Sequence, residues 1–213
     1  MRIVSLNPDV GAAVGVAKQV IVAGGTLIYP TDTVYGIGCD ATCRAAVEKI
    51  IAMKRREEDT RFIVLVDSFA SLELLVEKLP NNIEEIIRDL IPAPVTFVLN
   101  SSPFTASHIK GCEQTIAVRV PDHEFCLRLC RASGVPVLST SANLHGEPVG
   151  SAVADITPEL LEQADLVIDG GNLSNKPSTV VRLSKGKFSI LREGAFSRED
   201  LVRRIGGDMV TVT

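Results

Sequence analysis

The chain has 213 residues, 46% of them apolar, which is enough to bury a substantial core in one domain. This composition excludes a disordered protein, and the formal charge of −4 argues against a general nucleic-acid coat while leaving room for a local basic groove. Aromatic residues make up 4% and tryptophan is absent, so a base-stacking sheet has few residues to work with. No apolar run approaches the roughly 18 residues of a membrane span, and we expect no membrane segment.

The first predicted elements follow from hydrophobic spacing and from turn residues. We predict helices at Val10–Val22, Leu72–Leu79, Ile83–Leu90 and His123–Ser133, a helix capped by Thr42, a helix begun by Thr157-Pro158 and a last one after an approximate capping box at Ser197–Asp200. We predict strands at Leu27–Tyr29, Phe62–Val66, Val95–Leu99, Thr115–Val120, Pro136–Leu138, Leu166–Ile168, Thr179–Leu183 and Phe188–Leu191. Because strands and helices alternate without a long linker or repeat, one mixed α/β domain over residues 1–213 is the expected architecture.

The most informative stretch runs from Thr26 to Asp40. Pro30 stops an apolar strand, and Thr31, Thr33 and Tyr35 follow before two glycines. Hydroxyls on a loop at the carboxyl end of a strand are well placed to hold a polar small molecule. A threonine-rich turn, with the glycines supplying unusual dihedrals, explains the same residues equally well.

Two further polar groups have the same ambiguity. The cluster Lys54-Arg55-Arg56 is either a solvated helix end or a holder of phosphates. The run Ser139-Thr140-Ser141-Ala142-Asn143 is either a strand-end turn or a ring of hydrogen-bonding groups. Together with the threonine loop they offer hydroxyls, an amide and cations, but no evident nucleophile–histidine pair. This inventory suits binding and orienting an anion-rich substrate more than covalent catalysis.

Three formal motifs do not carry a function. Gly36–Ala41 fits G-x-G-x-x-A, but six residues separate its first glycine from the strand, and a dinucleotide site needs that glycine directly after the strand. Lys176–Thr179 is similar to part of a P-loop but lacks the glycine before the lysine, and Pro177 removes a backbone donor. His123, Cys126 and Cys130 share a helical face without a suitably spaced fourth ligand, which favours core packing over a metal site.

The five cysteines are odd in number and show no C-x-x-C spacing. No secretory signal precedes them, since Asn7, Pro8 and Asp9 interrupt the first apolar stretch. We therefore expect reduced thiols in a cytoplasmic protein.

A set of motifs in a fixed order covers nearly the whole chain. They are Tyr29-Pro-Thr-Asp-Thr-Val-Tyr-Gly, Lys54-x-Arg56, Pro92-x-Pro94-x-Thr96, Val118-Arg-Val-Pro-Asp122, Ser139-x-Ser141-Ala142-Asn143, Pro177-Ser-Thr-Val180 and Leu191-Arg192-x-Gly194. In this order they resemble the YrdC/TsaC family. The pair Lys-x-Arg with Ser-x-Asn is similar to the threonylcarbamoyl-AMP synthase signature, which a sister branch of the same fold lacks.

The resemblance implies a YrdC-like fold, a twisted mixed α/β sheet with flanking helices and a large concave cavity, in the short form without an extra C-terminal domain. It implies that L-threonine, bicarbonate and ATP give threonylcarbamoyl-AMP and pyrophosphate. That product would be handed to partner proteins for threonylcarbamoyl modification of tRNA, with direct tRNA contact left open. Mg²⁺ is expected because triphosphates normally arrive with it, and the resemblance implies no organic cofactor.

Carried over residue by residue, the resemblance also implies two sets of binding residues. The ATP set is Lys54, Arg56, Thr60, Thr115, Ser141, Asn143, Val149 through its backbone, and Arg192. The threonine and bicarbonate set is Thr31, Thr33, Tyr35, Arg119, Ser139 and Thr179. The chain departs from the family pattern at Arg61, Phe62, Leu65, His145 and Glu193.

Within these sets, Arg119 can pair with the threonine carboxylate through a two-pronged hydrogen bond. Lys54 and Arg56 are expected to face solvent. No side chain is an evident general base, and no protein metal ligand is assigned.

Two other functions stay open at this stage. A non-catalytic RNA-binding module on the same fold would use the basic side of the cavity but would have no need for the Ser141 and Asn143 pair. A scaffold subunit with a decayed site is compatible with the departures near Thr60.

Overall fold

An eleven-stranded mixed sheet organises the computed structural model, which describes residues 2–55, 62–144 and 146–211. The strands are β1 (Ile3–Ser5), β2 (Leu27–Tyr29), β3 (Gly36–Asp40), β4 (Ile63–Leu65), β5 (Val95–Asn100), β6 (Thr115–Arg119), β7 (Val137–Ser141), β8 (Leu166–Asp169), β9 (Thr179–Ser184), β10 (Lys187–Arg192) and β11 (Val210–Thr211). The α-helices are α1 (Val10–Val22), α2 (Arg44–Met53), α3 (Phe69–Glu73), α4 (Asn81–Leu90), α5 (Glu124–Ser133), α6 (Pro158–Gln163) and α7 (Arg198–Ile205). In space the strands follow the order β1-β8-β2-β3-β7-β4-β6-β5-β9-β10-β11.

The middle of the sheet sets the register of the polar residues. Strand β7 runs antiparallel to both β3 and β4, and Ser139 lies opposite Gly38 on one side and Ile63 on the other. Strand β6 is parallel to β4, and it places Arg119 opposite Leu65. Residues that are far apart in sequence therefore become neighbours across four adjacent strands, β3, β7, β4 and β6.

The two faces of the sheet carry separate hydrophobic cores. In β2, Ile28 packs into the core on one face, while Leu27 and Tyr29 pack into the core on the other. This alternation is the ordinary consequence of the two-residue repeat of a strand. Helices α2, α4 and α7 cover the first face, and α1 with α5 cover part of the second.

A capping carboxylate fixes the start of α1, and a glycine fixes the end of α5. The Asp9 carboxylate accepts a hydrogen bond from the Ala12 backbone N–H at 3.0 Å and caps α1. Gly134, at φ +68°, ends α5 in the left-handed region. The predicted bounds Val10–Val22 are confirmed, and the predicted helix at His123–Ser133 differs only in that His123 is its cap.

Two predicted helix features were wrong, one because of a tertiary contact and the other because of a local hydrogen bond. The predicted helix Leu72–Leu79 ends at Glu73, since Val76 pairs with Ser101 and the Leu75 carbonyl accepts from the Ser102 N–H. Thr42 does not cap α2, because its hydroxyl donates to the Asp40 carboxylate at 2.7 Å.

Two segments read as loops or strand ends are in fact strands. Gly36–Asp40 forms β3, and its two glycines have no Cβ atoms that would block the close approach of β7. Ser139 and Ser141 lie within β7 rather than after it. None of the helices in the described ranges has the length and apolarity needed to cross a membrane.

Candidate functional site

Helices α1 and α5 leave part of the second sheet face uncovered, and a polar hollow forms there. In β6, Thr115, Ala117 and Arg119 point to this hollow, while Val118 between them packs into the opposite core. The hollow consists of two adjoining cavities that share Ile63 and Arg192 as lining residues. We call them the Arg119 cavity, about 250 Å³, and the Thr115 cavity, about 350 Å³.

The Arg119 cavity gathers residues from both predicted sets. Its lining includes Thr31, Thr33, Arg119 and Ser139 from the threonine set, and Ser141, Val149 and Arg192 from the ATP set. The Thr115 cavity contains Thr115 and again Arg192, and its other lining residues are partly apolar, such as Val98 and Ala117, and partly charged, namely Lys110, Glu113 and Arg182. The hollow can therefore hold a small polar group at one end and a larger, partly apolar group at the other.

The loop between β2 and β3 is fixed by its own hydroxyls. The Thr31 hydroxyl donates to the Val34 carbonyl at 2.7 Å and accepts from the backbone N–H groups of Thr33 and Val34 at 3.1 and 3.2 Å. The Thr31 and Thr33 hydroxyl oxygens are also 2.9 Å apart. Thr31 acts as the turn-forming residue of the loop, and this holds the Thr33 hydroxyl in place at the cavity wall.

Arg119 is the buried cation of the hollow, with 4% of its surface exposed. Its Nη1 donates to the Thr33 hydroxyl at 3.1 Å, and its Nη2 forms an ion pair with the Asp32 carboxylate at 2.5 Å. Its Nε is buried and has no hydrogen-bond partner among the described residues. A buried donor without a partner is costly, and an anion in the cavity would satisfy it.

Arg192 is the cation that lies where the two cavities meet, since it lines both of them. Its Nη2 donates to the Ser178 carbonyl at 2.9 Å, and within the described ranges no carboxylate forms an ion pair with it. Desolvation and, to a smaller extent, the charge of Arg119 lower the pKa of Arg192 from its usual value of 12.5, although the side chain stays charged near neutral pH. Two guanidinium groups that repel one another favour an anionic ligand between them.

Lys54 supports the hollow from behind its wall. Its side chain is fully buried, and its ammonium donates to the Ser141 backbone carbonyl and, at 3.3 Å, to the Asn143 side-chain oxygen. The Ser141 hydroxyl donates to the same Asn143 oxygen at 2.5 Å. The expectation that Lys54 faces solvent was wrong, because the end of β7 lies directly over its ammonium group.

Comparison with known proteins then identifies the chain's relatives. The model of the Sua5/YciO/YrdC family, described as "Telomere recombination", matches residues 19–194. The chain belongs to this family.

Curated relatives within the family have a stated activity. The threonylcarbamoyl-AMP synthase of Pyrococcus abyssi is 33% identical over 192 residues, which cover 90% of this chain and 56% of that protein. The threonylcarbamoyl-AMP synthase of Pseudoalteromonas translucida is 33% identical over 181 residues, covering 83% of this chain and 96% of that protein. The chain thus spans little more than half of the archaeal relative but nearly all of the bacterial one.

Solved structures of family members agree with the fold. The crystal structure of P. abyssi Sua5 with L-threonine superposes with a TM-score of 0.90 at 30% identity, covering all of this chain and 62% of that one. The structure of E. coli YciO gives a TM-score of 0.81 at 28% identity, covering 91% and 95%. The predicted twisted α/β sheet with flanking helices and the predicted family are both confirmed.

Not every residue that the family pattern implies for binding lies at the cavity surface. The Tyr35 hydroxyl is engaged with backbone, donating to the Gly171 carbonyl at 2.8 Å and accepting from the Gly170 N–H at 3.0 Å. The Thr179 hydroxyl donates to the Phe196 carbonyl and accepts from the Gly194 N–H at 2.9 Å. Tyr35 and Thr179 fix the two chain segments that border the Arg119 cavity, and their binding roles stay predictions.

Other predicted residues are placed as follows. Asn143 does not line either cavity, but its amide links Lys54 and Ser141 to the Glu147 carbonyl, to which it donates at 2.6 Å. Arg56, Thr60, Arg61 and His145 lie outside the described residues. Among the remaining departures from the family pattern, Phe62 lines the Thr115 cavity and Leu65 lines the Arg119 cavity. Glu193 is exposed, and its carboxylate accepts a hydrogen bond from the Arg198 backbone N–H at 3.3 Å.

Two residues of the site were missed by sequence reasoning. Asp32 forms an ion pair with Arg119. Ser178 accepts a hydrogen bond from Arg192 through its backbone carbonyl, and its hydroxyl oxygen lies 2.9 Å from the Thr96 hydroxyl oxygen. The position of Asp32 between two predicted threonines was an available signal. Ser178 lies in the motif Pro177-Ser-Thr-Val180, but its role depends on the contact between β5 and β9, which the motif does not reveal.

The described residues contain no group of three or more histidine, cysteine, aspartate or glutamate side chains that could hold a metal ion. Cys126 and Cys130 are buried between α5 and the sheet, where their thiols donate to the Pro30 and Leu65 carbonyls at 3.3 and 3.6 Å. The interpretation of these cysteines as core residues is confirmed.

Proposed function

We propose that this protein is a threonylcarbamoyl-AMP synthase. The reaction combines the threonine amine with bicarbonate to give a carbamate and water. A carbamate oxygen then attacks the α-phosphorus of ATP, and the bond to pyrophosphate breaks. The products are threonylcarbamoyl-AMP, pyrophosphate and water.

One observation carries the proposal. Hydroxyls from the β2–β3 loop and from β7 converge with the guanidinium groups of Arg119 and Arg192 on a single hollow. The relatives from Pyrococcus and Pseudoalteromonas are named for this activity, and the P. abyssi Sua5 crystal structure contains L-threonine. The cavity is polar at the end where a small amino acid would bind and partly apolar at the end where a nucleoside would bind.

At the threonine end, Arg119 is the natural partner of the amino-acid carboxylate. Its Nε is unsatisfied, and each Nη nitrogen carries a second hydrogen beyond the one it already donates. A carboxylate that accepts from Nε and one Nη receives the two-pronged hydrogen bond expected from the sequence. Thr33 and Ser139 offer further hydroxyls around the same site.

At the nucleotide end, Arg192 occupies the border between the cavities and can offset charge on the leaving pyrophosphate. Lys54 acts through the end of β7, since its ammonium holds the Ser141 carbonyl and the Asn143 side chain. We propose that Mg²⁺ arrives bound to the triphosphate, because triphosphates are normally bound as their Mg²⁺ complexes.

The cavity contributes chiefly by proximity. A carbamate is short-lived in water, and holding threonine and bicarbonate beside the α-phosphorus lets the second step follow before the carbamate decomposes. The described residues lining the Arg119 cavity include two titratable side chains, Arg119 and Arg192, and neither is a suitable base. We therefore assign no proton-transfer residue.

The product suits a downstream role in tRNA modification. We propose that residues 1–213 act as one YrdC-like catalytic domain that hands threonylcarbamoyl-AMP to partner proteins for modification of a tRNA adenosine in the cytoplasm. Direct contact between the protein and tRNA can be tested by a gel-shift assay.

Pyrophosphate release from ATP, measured with purified protein and Mg²⁺, tests the proposal. We expect release that requires both L-threonine and bicarbonate, and threonylcarbamoyl-AMP should be detected by mass spectrometry in equal amount. Release that is independent of threonine, or no release at all, would overturn the synthase. If tRNA binds in a gel-shift assay while no pyrophosphate is released, the protein is an RNA-binding module of the same fold.

A further inference from the structure

A carboxylate, that of Asp32, is paired with Arg119, and the two sets of binding residues implied by the family resemblance do not include it. Asp32 has only 10% of its side chain exposed, and its two oxygens have different partners. Oδ1 pairs with Arg119 Nη2, and Oδ2 accepts from the Asp122 backbone N–H at 3.1 Å. Asp32 thereby ties the cavity-lining arginine to the segment that joins β6 to α5.

This arrangement restricts the guanidinium to one orientation. Asp32 holds Nη2 and Thr33 holds Nη1, so the planar group is fixed at two of its three nitrogens. The remaining Nε is buried without a partner among the described residues. Fixing two donors of a rigid fork determines where the third one points.

The neighbouring titratable groups leave this ion pair undisturbed. The imidazole of His123, the cap of α5, and the thiol of Cys126 both lie close enough to Asp32 to interact with its charge, and burial lowers the pKa of His123 from 6.5 and raises the pKa of Cys126. The imidazole is therefore uncharged at neutral pH and does not compete with Arg119 for the carboxylate. Arg119 is the one cation that forms an ion pair with Asp32 within the described ranges.

We propose that Asp32 is a positioning residue, which aims the Nε of Arg119 at the carboxylate of the amino-acid substrate. The proposal rests on the proposed function, because it names how that same cavity recognises threonine. Asp32 itself does not contact the substrate, and its effect passes through Arg119. Removing its charge should disturb threonine binding much more than ATP binding.

The first test compares Asp32→Asn with the wild type in pyrophosphate release and in calorimetric binding of L-threonine. Asparagine has no charge and offers one acceptor oxygen in place of the two that Asp32 now uses, so it holds the guanidinium of Arg119 less firmly. We expect the KM and Kd for threonine to rise about tenfold or more, while the KM for ATP changes little. Asp67→Asn is the matched control, since Asp67 also pairs with an arginine, Arg131, but lines neither cavity.

A double-mutant cycle separates positioning from a general loss of structure. Arg119→Lys keeps the charge but removes the fork, and it should weaken threonine binding by itself. If Asp32 acts through Arg119, adding Asp32→Asn to Arg119→Lys should cause little further loss. Additive effects, an unchanged threonine affinity in Asp32→Asn, or equal rises in both KM values would overturn the proposal.

A second variant, Asp32→Glu, keeps the proposal testable if Asp32→Asn folds poorly. Asp32→Glu keeps the ion pair but lengthens it by one methylene, so it moves the guanidinium while preserving the charge. We expect a higher threonine KM with an intact thermal transition. If the wild type neither binds threonine nor releases pyrophosphate, both proposals are overturned. If the wild type is active and the Asp32 variants have an unchanged KM for threonine, only the positioning role is overturned.

Discussion

The ammonium group of Lys54 donates a hydrogen bond to the backbone carbonyl of Ser141, and the lysine side chain is fully buried beneath it. The charge is thus used to fix the end of β7, which carries cavity residues. A lysine in this position affects both the stability of the fold and the shape of the site.

Replacing Lys54 with alanine should therefore lower stability as well as ATP binding. Loss of hydrogen bonds from a charged group costs about 2 kcal/mol in the free energy of unfolding, which corresponds to a fall in Tm of roughly 4–8 °C for a chain of this size. Calorimetry of the variant measures this directly. Lys49→Ala, an exposed lysine of the same helix, should stay within about 0.5 kcal/mol of the wild type. A Tm for Lys54→Ala equal to that of the wild type would contradict the buried role.

Arg192→Gln should weaken ATP binding while leaving the stability of the fold nearly unchanged. Arg192 is exposed at the border of the two cavities, so its removal should change the free energy of unfolding by less than about 1 kcal/mol. We expect the KM for ATP in pyrophosphate release to rise about tenfold, because the triphosphate loses a cation. Arg203→Gln, which removes an exposed charge on α7 that lines neither cavity, provides the control and should leave the KM unchanged.

Gly38→Ala tests the close packing of β3 on β7. A Cβ at Gly38 would lie 2.2 Å from the Leu138 carbonyl oxygen, so the strands must move apart. We expect the free energy of unfolding to fall by about 1–3 kcal/mol in urea denaturation. Gly15→Ala on α1 meets nothing within 4 Å and should instead stabilise the protein by about 0.5–1 kcal/mol. Equal effects of the two substitutions would refute the packing argument.

The buried thiols should make stability depend on alkaline pH. Burial raises the pKa values of Cys39 and Cys130 to about 12 and raises that of Cys126 as well, whereas an unfolded thiol has a pKa of 9.0. The protonated form is favoured in the folded state, so this stability is fully present below pH 9 and is lost as the pH rises from 9 to 12. At pH 10 the raised pKa values of Cys39 and Cys130 should each lower the free energy of unfolding by about 1.4 kcal/mol relative to pH 7.

Urea denaturation at pH 7, 9 and 10 measures that loss, and Cys39→Ala should remove its own share of it. As an independent check, native protein treated with N-ethylmaleimide at pH 8 should be labelled more slowly at Cys39, Cys126 and Cys130 than at the half-buried Cys43. Fast labelling of the three buried thiols, or stability that stays constant up to pH 10, would contradict their burial.

The amino-acid sequence by itself determined which elements form and which residues have the chemistry for the site. Apolar spacing and turn residues predicted α1 to the residue and most strands to within one or two positions, because these features act over a few neighbouring residues. The ordered motifs indicated the family and selected Thr33, Arg119 and Arg192, which do lie in one hollow.

Only the tertiary structure decided how those residues are used. Lys54 looked like a solvent-facing phosphate ligand, but its environment depends on where β7 ends, and that strand lies 87 residues further along the chain. The sequence places Asp32 in a loop, and its ion pair with Arg119 depends on the position of strand β6 in the sheet. Burial and ion pairing arise from contacts between distant segments, and local sequence patterns do not contain that information.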